Sequence, residues 1–133
     1  MDELLSHIPH LLTARYPLLW LVSAEEERVE RGLERLAAQN KLQLHRWRAT
    51  TGLVAQGGLP VPDTRDAYAA LQAVETFDGP ALFLFEDPGK ALKDELVVRR
   101  IRDLERELGT RRQGLLVLSH RLDIPADVLK PTP

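Results

Sequence analysis

Apolar positions along this chain follow two rhythms. Four compact runs, Leu18–Val22, Leu42–Trp47, Ala81–Phe85 and Leu115–Leu118, are rich in aliphatic and aromatic residues and short enough to be strands. Between them apolar residues recur at spacings of three and four. Val29, Leu33, Leu36 and Ala37 make one stripe, predicting a helix from about Ala24 to Gln39. Val97, Ile101, Leu104 and Leu108 repeat the pattern in the third connection, and Ala67, Ala70, Leu71 and Val74 do so more weakly in the second. A further helix is predicted from Glu3 to Ala14, with Leu4, Leu5, Ile8, Leu11 and Leu12 on its apolar side and Pro17 at the exit.

The punctuation between runs agrees. Ser23-Ala24-Glu25-Glu26 reads as a capping box, in which Ser23 bonds an exposed N–H and Glu26 reaches back. Asp63 or Thr64 is placed to open the middle helix after the breaker run Gly57-Gly58-Leu59-Pro60-Val61-Pro62, and Gly109 sits where the third helix should stop. Strands alternating with helices predict an α/β domain over residues 1–133: a three-layer parallel sheet of about four strands, with helices on both faces and an extra N-terminal helix. The strand order expected by analogy with P-loop proteins is 1-4-3-2. The second run, Leu42-Gln43-Leu44-His45-Arg46-Trp47-Arg48, alternates polar and apolar residues, so it is expected at a sheet edge. Nothing after Leu118 reads as a fifth strand.

The chemistry sought next is phosphate binding. A P-loop runs from the first strand through G-x-x-x-x-G-K-[ST] into a helix, so that backbone N–H groups and a lysine cradle the phosphates. The same junction here is Leu21-Val22-Ser23-Ala24-Glu25-Glu26-Glu27-Arg28, without glycine or lysine. Three consecutive carboxylates at a helix N-terminus would repel a triphosphate from the place where the helix dipole would otherwise attract it.

The third run ends Leu82-Phe83-Leu84-Phe85-Glu86-Asp87, which imitates the apolar strand and paired acids of a Walker B element, with the acids in reversed order. Glu86 and Asp87 are weak candidates for holding magnesium. Ser119, ending the fourth run, is a weak candidate for a polar sensor. The plainer reading, a solvated pair of acids at a strand end with Asp87 turning the chain into Pro88-Gly89, is favoured. His7 and His10 lie three apart but have no third ligand, and His45 and His120 are isolated, so no metal site is expected. Trp47, between Arg46 and Arg48, is expected to pack against a flanking helix rather than stack on a base.

Charge narrows the partners. Eighteen basic and twenty acidic residues give a net −2, and the arginines of the third helix (Arg99, Arg100, Arg102, Arg106) alternate with acids, so neither nucleic acid nor an anionic membrane is expected. Arg111-Arg112 could face a neighbouring subunit. The chain has no cysteine and no apolar stretch long enough to span a bilayer, and a cytoplasmic setting is expected.

The ordered segments Ala14-Arg15-Tyr16-Pro17-Leu18, Glu25-Glu26-Glu27-Arg28-Val29-Glu30-Arg31, Trp47 with Thr51-Gly52-Leu53-Val54, the strand ending at Glu86-Asp87, Val98-Arg99-Arg100-Ile101-Arg102-Asp103-Leu104, and Leu118-Ser119 with Ile124-Pro125 carry a resemblance. They resemble the N-terminal domain of a family of AAA+ ATPases known from algal plastid genomes, cyanobacteria and other bacteria. The resemblance implies a degenerate AAA-like fold, ahead of an intact ATPase module elsewhere, and assigns no catalytic residue here. The expected role is therefore non-catalytic support of assembly or regulation, with no cofactor in this chain. The expected partner is an ATPase module or a second copy, met through the open edge of the first strand. Two alternatives stand beside it. One is a weak magnesium-dependent hydrolase using Glu86 and Asp87. The other is a receiver-like phosphoacceptor domain using Asp87, Ser119 and Lys130.

Overall fold

The computed structural model describes residues 18–22 and 25–119. The helix expected over residues 3–14, the cap at Ser23, and the tail with His120 and Lys130 lie outside the described residues. Within them the order is β1 (Leu18–Val22), α1 (Glu26–Gln39), β2 (Gln43–Arg48), β3 (Gly52–Ala55), α2 (Ala67–Thr76), β4 (Ala81–Glu86), a single-turn 3₁₀ helix (Gly89–Lys93), α3 (Glu95–Leu108) and β5 (Gln113–Ser119).

The sheet order is β1-β5-β4-β2-β3. The four anticipated strands therefore stand in the anticipated order and run parallel, through pairings such as Leu18 with Leu115, Phe83 with Leu115, and His45 with Phe83. The fifth strand, β3, was not anticipated. It folds back antiparallel on β2, pairing Arg48 with Gly52 and His45 with Ala55, so β2 is interior and not an edge. The turn depends on Gly52, whose φ of +77° suits glycine and whose missing Cβ would lie 2.7 Å from Thr64 Oγ1.

Side chains alternate across the sheet, and two cores result. On one face Phe83, Phe85, Trp47 and Leu115 pack with Ala70, Leu71 and Val74 of α2 and Val97, Ile101 and Leu104 of α3. On the other face Leu44, Leu82, Leu84, Leu116 and Leu118 pack under Val29, Leu33, Leu36 and Ala37 of α1. Trp47 does pack in a core that includes a helix, as expected. Its ring also stacks on Phe85 at 5.1 Å, and its Nε1–H donates to the Thr64 carbonyl at 2.7 Å.

Helix ends correct the sequence reading in two places. Asp66, not Asp63 or Thr64, caps α2, accepting from the Ala69 N–H at 3.0 Å. Thr64 is buried instead, where its hydroxyl accepts from Leu53 N–H and donates to the Val61 carbonyl. α1 begins after Glu25, whose side chain makes no capping bond. Gly109 ends α3 as expected, with right-handed backbone angles. The ion-pair lacing expected on α3 is present, with Arg99 on Asp103 at 3.3 Å and Arg100 on Glu75 of α2 at 2.8 Å. Arg111 and Arg112 donate to the backbone carbonyls of Glu75 and Asn40, tying the chain before β5 to the ends of α2 and α1.

Candidate functional site

In parallel α/β sheets ligands gather at the carboxyl ends of the strands. Here register sets Val22 beside Ser119 and Glu86 beside Leu118, so the ends of β1, β5 and β4 form one continuous edge. Glu86, Asp87 and Ser119 are thus brought to the same edge. Ser119 is buried, Asp87 is exposed, and the Asp87 N–H donates to the Leu118 carbonyl at 2.7 Å. Asp87 also holds a φ of +47°, unusual for a residue other than glycine, as the chain bends into Pro88.

Glu86 departs from the plain reading of a solvated acid, because its side chain is only 2% exposed. The β-pleat turns it toward α1, where the Arg48 guanidinium meets it through Nε at 3.3 Å and through NH2 at 3.2 Å. The same NH2 group donates to Glu30 on α1 at 2.7 Å, and Arg46 donates to the other Glu30 oxygen at 3.2 Å. Arg46 also lies 3.8 Å from Glu34. The two arginines of β2 therefore lie on the α1 face and bind acids of α1 and β4, while His45 is buried on the opposite face. The sequence signal was present in the Arg46-x-Arg48 and Glu30-x-x-x-Glu34 spacings, but only the strand order reveals that they meet. Among the described residues, no group of three or more acids, histidines or cysteines is arranged to hold a metal ion.

The two buried carboxyls divide a proton between them. Burial pushes Glu86 up to about 7, reinforced by its hydrogen bond to Glu30 and opposed by Arg48. Burial acts to raise Glu30 as well, but the hydrogen bond with Glu86 and the contacts of Arg48 outweigh it and hold Glu30 below the usual range. Within the pair, Glu86 therefore holds a proton more tightly than an ordinary carboxyl does, and Glu30 less tightly. Arg48 is held more firmly protonated by Glu86 first and Glu30 second.

A pH dependence follows. The folded protein holds the Glu86 proton more tightly than the unfolded chain does, so this stabilising contribution is complete below about pH 4.5 and is lost as pH rises through about 7. Its full size is about 3 kcal/mol, from the linkage of pKa to free energy. His45 acts in the opposite sense. It is buried between Phe77, at 4.6 Å, and Phe83, at 5.0 Å, rather than lying at the surface. Burial lowers its pKa, partly offset by a hydrogen bond to the Gln43 backbone, so its contribution is complete above about 6.5 and is lost as pH falls. Comparison with Glu86→Gln cancels His45. Urea midpoints at pH 5 to 8 should show the advantage of wild type over the Gln variant shrinking steadily. A difference that stays flat with pH would mean that Glu86 titrates as an ordinary acid.

At the start of α1, Glu26 and Glu27 occupy the first turn and the exposed Glu25 stands at the cap, 3.5 Å from Arg28. The acids inferred from sequence are thus present at the start of α1, which follows the strand whose last residue, Val22, pairs with Ser119.

Comparison with known proteins adds the family context. Residues 4–132 match the profile of the SpoVK-like AAA ATPase N-terminal domain. The chain is 26% identical over 121 residues to the uncharacterized AAA domain-containing protein ycf46 of Trieres chinensis, covering 89% of this chain and 24% of that protein. It is 25% identical over 118 residues to the protein of the same name from Pyropia yezoensis, covering 86% of this chain and 24% of that protein. The chain therefore spans about a quarter of the length of these relatives. No solved structure matches it significantly.

Proposed function

Because the chain belongs to the family of SpoVK-like AAA ATPase N-terminal domains, we propose that it is a non-catalytic domain that supports the assembly or regulation of an AAA ATPase. The observation that carries this reading is the occupation of the Walker-B-like position. Glu86 is buried and hydrogen-bonded to Arg48, which also holds Glu30, so the acid that would serve magnesium serves internal cohesion instead. The acidic first turn of α1 adds to it, since Glu25, Glu26 and Glu27 oppose a triphosphate where a P-loop would attract one. The partner is an AAA module on the same or another chain, with a second copy as the other candidate, and the setting is cytoplasmic. No nucleic acid and no cofactor is assigned to this chain.

A weak hydrolase would rest on Glu86 and Asp87, which share one edge with the sensor candidate Ser119, but it requires Glu86 to leave Arg48. The test compares the complete natural polypeptide with a version lacking residues 1–133, together with the separate AAA chain if there is one. Sedimentation should show an altered assembly state, or ATP turnover should change several-fold. Identical assembly and turnover in the two preparations would contradict the proposal.

A further inference from the structure

Among the described residues, a conspicuous surface feature lies in the loop between β3 and α2. Leu59, Pro60, Val61 and Pro62 are four consecutive exposed apolar residues, and Leu59 is 87% exposed. From Gln56 to Pro62 the chain carries no charge, in a protein in which 29% of residues are charged. A run of this kind on a surface calls for a partner.

The run is also held in shape. The Gly58 N–H donates to the Ala55 carbonyl at 2.9 Å, closing a turn, and the Val61 N–H donates to the Leu53 carbonyl at 2.8 Å, so that Pro60 lies against Val54 as a further rung beside β3. Thr64 fixes its far end, accepting from Leu53 N–H and donating to the Val61 carbonyl, while its own carbonyl accepts from the buried Trp47. Pro60 and Pro62 restrict the backbone between these anchors. A tip built this way presents Leu59 with little conformational entropy left to lose on binding.

We propose that the Leu59–Pro62 tip is the docking element by which this domain seats against the AAA domain of its own machine, inserting Leu59 into an apolar socket there. The inference rests on the proposed function, and it commits to that partner on two grounds. The chain spans about a quarter of the length of its relatives, each named as an AAA domain-containing protein, so such a domain is the neighbour available to it. Four residues also fall far short of the roughly 800 Å² per partner that a free-standing complex needs. So small an anchor works where tethering keeps the local concentration high, and it would not hold a diffusing second copy.

The test places a photo-activatable benzoylphenylalanine at position 59 of the complete natural polypeptide. A matched probe at position 96, where Leu96 is 66% exposed on α3, serves as control. Position 59 should cross-link to peptides of the AAA domain about tenfold more than position 96 does, and Leu59→Ser introduced beside a probe at position 61 should reduce that yield several-fold. Cross-links from position 59 to residues 25–119 of a second copy, or a yield no higher than the control, would overturn the inference. The comparison lacking residues 1–133 is scored separately. If that deletion alters assembly or turnover while position 59 gives no AAA cross-link, the functional proposal stands and the tip does not.

Discussion

Arg48→Ala should destabilise the domain by about 2 kcal/mol, although Arg48 lies on a strand whose sequence looks like a solvent edge. Removing one partner of a buried ion pair ordinarily costs about 3–5 kcal/mol, because it leaves a charge in the interior without compensation. The lower figure applies because the Arg48 side chain is 47% exposed and water can screen part of what it leaves behind. What it leaves is Glu86 and Glu30, 2% and 10% exposed, facing each other with Arg46 beside Glu30 as the remaining arginine partner among the described residues. The stranded acids predict their own remedy. Adding Glu86→Gln to Arg48→Ala should recover part of the loss above about pH 7, where Glu86 would otherwise ionise beside Glu30 without Arg48, since an amide stays neutral and can still donate to Glu30. Chemical denaturation of the wild type, the two single variants and the double variant measures this coupling. If the two losses simply add, Arg48 and Glu86 do not act as a unit.

Trp47→Ala should cost more, about 4 kcal/mol, in the range found for emptying a large aromatic site in a core. Trp47 is 2% exposed, stacks on Phe85, and is the donor that holds the Thr64 carbonyl. Its loss therefore opens a cavity between β2, β4 and α2 and also unfastens the segment that Thr64 pins beside β3. Trp47→Phe separates the two effects. It keeps most of the ring contact and removes the Nε1–H, so it should cost about 1–2 kcal/mol, the price of an unmet buried carbonyl with modest repacking. Thermal or urea unfolding followed by circular dichroism gives both values. An alanine variant as stable as wild type would show that Trp47 is not a core residue.

Both variants lie on β2, which is also where reading from sequence succeeded least. The parallel strands were legible because Ala81–Phe85 and Leu115–Leu118 are continuous apolar runs, and a strand buried on both faces has no other composition available to it. The helices were legible from stripes such as Val97, Ile101, Leu104 and Leu108. β2 misled because the same alternation arises in two ways, from a face open to water or from a face on which charges are paired. Arg46 and Arg48 belong to the second kind, and their partners Glu30 and Glu86 come from elements 16 and 38 residues away. β3 was missed because four residues, Gly52–Ala55, beside a glycine-rich loop give too short a pattern. Of the candidate site, the acidic start of α1 and the neighbouring ends of β4 and β5, which carry Glu86 and Ser119, were visible in the order of the segments. The burial of Glu86 was not, since a carboxylate at a strand end looks solvated until the helix above it is found to carry Glu30.

On the proposed non-catalytic role, the same geometry explains how the fold could do without phosphate chemistry. A magnesium ion would ask the acid at the end of β4 to face a ligand. In this chain Glu86 faces α1, and Arg48 supplies from within the protein the positive charge that a cation would otherwise bring. On that reading Arg48 balances Glu86 at the strand-end edge without a nucleotide.

Calorimetric titration of residues 1–133 with ATP and magnesium tests this claim most directly. The account predicts no saturable heat up to millimolar nucleotide, with wild type and Asp87→Ala behaving alike. Saturable micromolar binding that Asp87→Ala or Glu86→Ala abolishes would contradict it.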